Sequence, residues 1–181
     1  MSPALFSPLA LRGTRLRNRI GVSPMCQYLC AADALATAWH LVHLGARAIG
    51  GAGLVVAEAT AVAPEARISR ADLGLWSAAH ADALRPVTSF IAAQGAVAGV
   101  QLAHAGRKGS TQVPWIGRDA VPEAEGGWPV QAPSALQFSP RNAMPRAMSE
   151  ADIAAAIAQF ANAAGQAVAA GFRYTELHLA H

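Results

Sequence analysis

Gly171-Phe172-Arg173-Tyr174-Thr175-Glu176-Leu177-His178-Leu179-Ala180-His181 stands last in the sequence, and its reading decides the fold. Gly171 ends an apolar helical pattern, and Phe172 to Leu177 then reads as a short strand. His178 and His181 follow at i, i+3, where the strand gives out. In parallel α/β proteins ligands sit at the carboxyl ends of the strands. Two imidazoles there read as a site; on these residues alone, solvated or packing histidines are an equal alternative.

Working outward, Ser149-Glu150-Ala151-Asp152 opens the preceding helix, with Ser149 as N-cap and Asp152 in a capping-box position. Ile153, Ile157, Phe160, Ala164 and Val168 follow at helical spacing and are expected to pack on the sheet. Val97 to Leu102 reads as a buried strand. The helix before it runs from Ser77 to about Gln94, and Pro86 should kink or divide it. Leu54 to Glu58 is a continuous apolar run ending in a carboxylate, the profile of a strand covered on both faces. A helix from Ala38 stops at Gly50-Gly51, Arg19 to Pro24 is a first buried strand, and Leu5 to Leu16 should turn at Arg12-Gly13 as a hairpin. Met25 to Thr37 and Thr60 to Leu75 read as loops. The stretch from Ala103 to Met148, rich in Pro, Gly and Trp, reads as a long irregular segment, and such segments are usually lids or binding loops.

After the hairpin the order is β-α-β-α-β-α-β, which implies a parallel sheet with right-handed crossovers. The first strand is followed by Pro24-Met25-Cys26-Gln27, without the G-x-G-x-x-G of dinucleotide folds or a Walker lysine. A barrel-type α/β fold is therefore favoured over a doubly wound sheet.

Composition narrows the function classes. A chain of 181 residues with 53% hydrophobic and 14% charged residues buries a core and is not disordered. The net charge of +3 is spread over single arginines, with Lys108 the only lysine, so the sequence argues against nucleic-acid binding. No apolar run looks long enough to span a bilayer and no secretory leader is apparent, so a cytoplasmic protein without membrane contact is expected. Cys26 and Cys30 are spaced C-x3-C, which is neither a redox pair nor a zinc knuckle.

The residues just beyond the strands form one set: Pro24, Met25, Cys26 and Tyr28; Glu58, Ala59 and Thr60; Gln101, His104, Arg107 and Lys108; His178 and His181. A thiol, a phenol, an amide and imidazoles should converge on one face. In series, Asn18 to Ile20, Ser23 to Tyr28, Val56 to Ala63, Gly74 to Ser77, Gln101 to Lys108, Ala132 to Ala135 and Glu176 to His181 resemble the old yellow enzyme family of flavin-dependent reductases, in its bacterial branch of xenobiotic reductases.

The resemblance implies a (βα)8 barrel that binds FMN noncovalently and takes hydride from NADPH or NADH. The hydride passes on to an activated alkene, a quinone or a nitro compound. It further implies that the backbone of Ser23, Pro24 and Met25 lines the flavin and that Cys26 sits at its reactive edge. The backbone of Ala59 and the Gln101 amide would bond the ring, an amide offering both a donor and an acceptor. His178 and His181 would donate to the oxygen on which charge develops, and Tyr28 would contact substrate. On the residues alone, Cys26 is equally a small buried hydrophobe. Cys30 reads as structural, His40 and His43 as packing or capping, and Glu58 as undecided. Arg107 and Lys108 touch cofactor or brace the long loop.

A full barrel has eight βα units and ~250 residues. Residues 1–181 are expected to supply about four units, the N-terminal part of one FMN-binding barrel domain. The family's tyrosine proton donor, its flavin-contacting second-half arginine and its phosphate loops belong to the other half. The activity of the 181-residue chain by itself therefore stays open, and the full-length form is expected to be a homo-oligomer. Two alternatives are a non-catalytic half barrel that dimerises or pairs with a separate second half, and a metal-dependent hydrolase using His178 and His181. The second lacks a third ligand, so no metal is expected.

Overall fold

The computed structural model describes residues 3–179. The hairpin is present: β1 (Leu9–Leu11) and β2 (Thr14–Leu16) pair antiparallel with Leu9 opposite Leu16. The first barrel strand, β3 (Gly21–Val22), is only two residues long. α1 (Ala38–Ile49), β4 (Leu54–Ala61), α2 (Ala78–Ala93) and β5 (Val97–Ala103) follow. The long segment then carries two short strands that the sequence did not announce, β6 (Gln131–Ala132) and β7 (Arg146–Ala147), paired in parallel. α3 (Glu150–Ala170) leads to β8 (Tyr174–Leu177). The main sheet has the order β3-β4-β5-β8 with every pair parallel, and α1, α2 and α3 supply the crossovers. This is half of a (βα)8 barrel, with β3 and β8 as its two edges.

Residues alternate across the sheet. Val55, Ala57, Ala98, Val100 and Leu102 join Leu44, Leu84, Val87 and Ile91 of the helices in the main core. Fully burying each of the Val, Leu and Ile side chains among these contributes roughly 1.5–3 kcal/mol. Gln101 and Glu176, register partners on β5 and β8, belong to the opposite face. Gly99 is fixed by close approach there: a Cβ at this position would come within 2.9 Å of the Tyr174 ring.

Three sequence expectations are corrected in whole or in part. First, of the two outcomes expected at Pro86, division does not occur: α2 runs through it unbroken. The carbonyl left without a helical donor belongs to Asp82, whose side chain is well exposed, so water can satisfy it. Second, Ile153, Ile157 and Val168 do not pack on the sheet. They face outward, with Ile157 65% and Val168 72% exposed. The buried stripe of α3 is Ala163, Ala167 and Ala170, with Phe160 and Ala164 partly covered. Alanine lets the helix approach closely and is ambiguous in any apolar pattern. Third, α3, with 21 residues and a mean hydropathy of 1.3, is long and apolar enough to cross a membrane by those two measures. Its alanine stripe is nonetheless packed into the core.

The helix ends follow the sequence. Ser149 Oγ accepts from the Asp152 amide, and the Asp152 carboxylate accepts from the Ser149 amide, closing the expected capping box. Gly171 ends α3 in the left-handed conformation, φ +96°. The buried Thr88 hydroxyl of α2 donates to the Ala170 carbonyl at 2.6 Å and ties the two helices together. Arg17, read from sequence as one scattered charge, donates to the carbonyls of Ala48, Ala52 and Gln94. It thereby serves the carboxyl ends of α1 and α2, where a cation is favoured.

Candidate active site

The carboxyl ends of the parallel strands open onto a cavity of about 330 Å³ lined by Cys26, Tyr28, Ala59, Gln101 and His178, together with His104, Lys108, Arg118 and Asp72. Seven residues singled out in the sequence, His104 and Lys108 among them, thus meet at one place. Ser23, Pro24 and Met25 lie in the adjoining segment after β3 and are not among the lining residues; Met25 is half exposed. His181 lies outside the described residues.

Small side chains make room. Ala59, Ala61, Ala66, Ala103 and Ala105 line the cavity. β4 reaches Ala61, beyond the Glu58 at which the sequence pattern appeared to stop, because it stays paired with β5 to the end. The two strands shift register between Ala57 and Ala59, so that Ala57 pairs with Val100 and Ala59 with Gln101, leaving Glu58 unpaired. Such bulges re-aim side chains beside active sites.

Gln101 is oriented by a residue that the sequence reading passed over. Its Nε2 donates to Glu176 Oε1. The Glu176 carboxylate can only accept, so the amide nitrogen turns toward β8. His178 begins the segment after β8, and its backbone N–H donates to the Leu102 carbonyl at 2.9 Å. His104 accepts the Gly106 N–H at Nδ1, 3.0 Å, and burial lowers its pKa.

Burial dominates the electrostatics of the other titratable groups. The Cys26 thiol is pushed up to about 11, first by desolvation and then by the charges of Glu58 and Asp72; hydrogen bonds from Tyr28 and the Ala59 backbone oppose the rise. Tyr28 is raised for the same first reason. Asp72 is buried and rises to about 6 through desolvation, although its carboxylate accepts from the Ile68 and Ser69 amides and the Ser69 hydroxyl. Nothing in the sequence marked Asp72, because it sits in a stretch without periodicity.

The two basic residues left open in the sequence divide. Arg107 braces the long segment through Ser134 Oγ at 3.2 Å. Lys108 lines the cavity with its ammonium 4.2 Å from the Phe138 ring centre. The long segment is pinned elsewhere by Trp128, whose Nε1 donates to Glu65 O and whose ring lies 5.0 Å from the Arg67 guanidinium. A second cavity of about 370 Å³, sharing Tyr28, Ile68, Lys108 and Arg118 with the first, opens beneath this segment. His43 stacks on Trp39 at the surface. His40 instead is buried, where it caps α1 and meets Glu58. Among the described residues no three His, Cys, Asp or Glu side chains form a metal-holding group.

A ring system with a polar edge suits this site. The alanine floor leaves space for a flat aromatic body, the Gln101 amide faces that space, and the volume lies at the lower end of small-molecule sites, roughly 300–1,000 Å³.

Known proteins give the same direction. The NADPH dehydrogenase of Geobacillus sp. (strain WCH70) is 44% identical over 182 aligned positions, covering 100% of this chain and 49% of that protein. The NADPH dehydrogenase of Bacillus subtilis (strain 168) is 39% identical with the same coverage. Among solved structures, morphinone reductase superposes with a TM-score of 0.83 at 27% identity, over 98% of this chain and 48% of that one. The old yellow enzyme of Pichia sp. AKU4542 gives 0.83 at 26%, over 98% and 46%. The chain therefore spans about half the length of the relatives it matches. The family model for the NADH:flavin oxidoreductase / NADH oxidase family matches residues 4–181, and the chain belongs to that family.

Proposed function

We propose that this chain provides the N-terminal half of an FMN-dependent NAD(P)H oxidoreductase site that reduces small activated alkenes, quinones or nitro compounds. The observation that carries the reading is the meeting of Cys26, Ala59, Gln101 and His178 around one alanine-floored cavity at the strand ends. FMN held here would supply the hydride-transfer chemistry that links NADPH or NADH to the acceptor. Gln101 and Ala59 would hold the ring from the cavity, and the Ser23–Met25 backbone, outside the lining in the adjoining segment, would meet it from that side. Glu176 fixes which end of the Gln101 amide meets it. His178, with His181 as its expected partner, donates to the acceptor oxygen and stabilises the charge that grows there. Tyr28 orients the substrate, and Cys26 tunes the cofactor from its reactive edge.

The test is a visible absorbance titration of the purified chain with FMN, run beside size-exclusion chromatography. A protein-perturbed flavin spectrum in a defined oligomer supports the reading for this chain. An unperturbed spectrum from a folded, defined species refutes flavin binding by these residues. Aggregate alone assigns the activity to a longer polypeptide, in which the same titration is repeated.

A further inference from the structure

Glu58 is buried, yet its carboxylate is not part of the cavity lining. The bulge in β4 turns it toward the segment after β3. There Oε2 accepts the Gln27 backbone N–H at 2.8 Å, and Oε1 lies 3.3 Å from Nε2 of the fully buried His40. The state of that imidazole follows from its other nitrogen. Nδ1 accepts the Thr37 backbone N–H at 2.9 Å, so it carries no proton, and the ring proton sits on Nε2, which has both Glu58 Oε1 and Cys30 Sγ beside it. Cys30 Sγ lies 3.7 Å from the same Nε2. His40 is held by the first turn of α1, Glu58 by β4, and Gln27 is the residue after Cys26.

We infer that the buried Glu58–His40 pair is a positioning device for Cys26: it clamps the Cys26–Gln27 backbone against the cavity and sets one buried negative charge beside the thiol. His40, with Nε2 3.3 Å from Oε1, packs against the carboxylate and holds its orientation. Burial keeps the sulfur protonated, and the charge adds to that effect. A thiolate there would add negative charge beside a ring that must accept hydride; a thiol adds none and keeps a donor. The other groups facing Cys26 are consistent with this. Asp72 adds to the effect of Glu58, Tyr28 and the Ala59 backbone act against it, and Lys108, Arg118, His104 and His178 line the same cavity. The tuning role of Cys26 rests on the flavin reading above; the clamp and the charge do not, since both are properties of the chain without cofactor.

The test is therefore made on the cofactor-free chain. Alkylation by iodoacetamide is followed against pH, with Cys26 and Cys30 resolved by fragment mass spectrometry, since only the thiolate reacts. Wild type should show Cys26 titrating well above the ordinary 9.0. Glu58→Gln removes the larger of the two charge effects that raise the thiol, and should raise the Cys26 rate at pH 8 by clearly more than twofold. Glu58→Asp keeps the charge but shortens the reach to Gln27. It should leave the pH profile high while amide exchange across Pro24–Leu29 quickens. A folded Glu58→Gln protein alkylated within twofold of wild type overturns the inference. If Glu58→Gln fails to fold, Glu58→Asp and wild type decide: an ordinary wild-type midpoint, or unchanged exchange in Glu58→Asp, overturns it. FMN titration of the same samples is read separately, so failure to bind flavin leaves the thiol result standing.

Discussion

Asp72 provides a stability signature that can be read without any ligand. It is 3% exposed, and burial lifts its carboxyl from 3.8 to about 6. Its folded value lies above its unfolded value, so between about pH 4 and 6 the native state binds more protons than the unfolded one. Stability from this group is therefore present at low pH and lost as pH rises through that window. About two units correspond to about 3 kcal/mol. Asp72→Asn removes the ionisation. Its remaining oxygen, standing for Oδ1, still serves the Ser69 amide and hydroxyl at 3.1 and 2.7 Å. The Ile68 amide, 2.6 Å from Oδ2, loses its acceptor and faces an NH2 group, at a cost of about 1–3 kcal/mol. The variant should be the less stable protein at pH 4, and the gap should close or invert by about 3 kcal/mol at pH 7.5. Urea unfolding followed by circular dichroism at several pH values gives the comparison. His80 and His104, both lowered by burial, impose the opposite slope, but they are common to both proteins and cancel in the difference. A gap that stays constant within about 0.5 kcal/mol across that range refutes the assignment of a buried, elevated carboxyl.

Three further outcomes are expected. Thr88→Val keeps the shape of the side chain but removes the hydroxyl that serves Ala170 at the end of α3; it should cost about 1–2 kcal/mol in urea unfolding. Gly127→Ala would place a Cβ 1.9 Å from the Val121 carbonyl oxygen, so limited proteolysis should cut the 120–130 segment faster while the sheet core stays protected. His178→Ala, in a form that binds FMN, should weaken a phenolic or enone ligand by about tenfold in a charge-transfer titration, the loss of a charge-assisted donor, and leave flavin affinity within twofold.

The fold was legible where physics acts locally. The apolar runs at Leu54 and Val97, the Ser149 capping box and the glycine at 171 each dictate their element through neighbours in sequence. Most of the cavity was legible too, because strand ends in this topology must point one way, and that brought Cys26, Ala59, Gln101 and His178 together. The misses were residues without a periodic signal. Asp72 is held locally by Ile68 and Ser69 in an irregular stretch, whereas Arg118 and Glu176 are placed at long range, by the long segment and by the β5–β8 register. On α3 the error ran the other way, since large aliphatic residues look like a core face and alanines do not.

The bulge in β4 shows why such misses gather at the site. Parallel register partners project to the same side of a sheet. Without the extra residue, Glu58 and not Ala59 would stand beside Gln101, and a carboxylate would project from the cavity floor. An acceptor-only charge there would repel the electron-rich edge of a flavin and would itself be costly to bury unpaired. Inserting one unpaired position puts a methyl group in the floor and sends the carboxylate to the Gln27 amide and His40. The same residue thus stops spoiling the cavity and starts holding the segment that carries Cys26. A pattern reader sees only an apolar run ended by a charge, because the displacement exists in the pairing of two strands about forty residues apart.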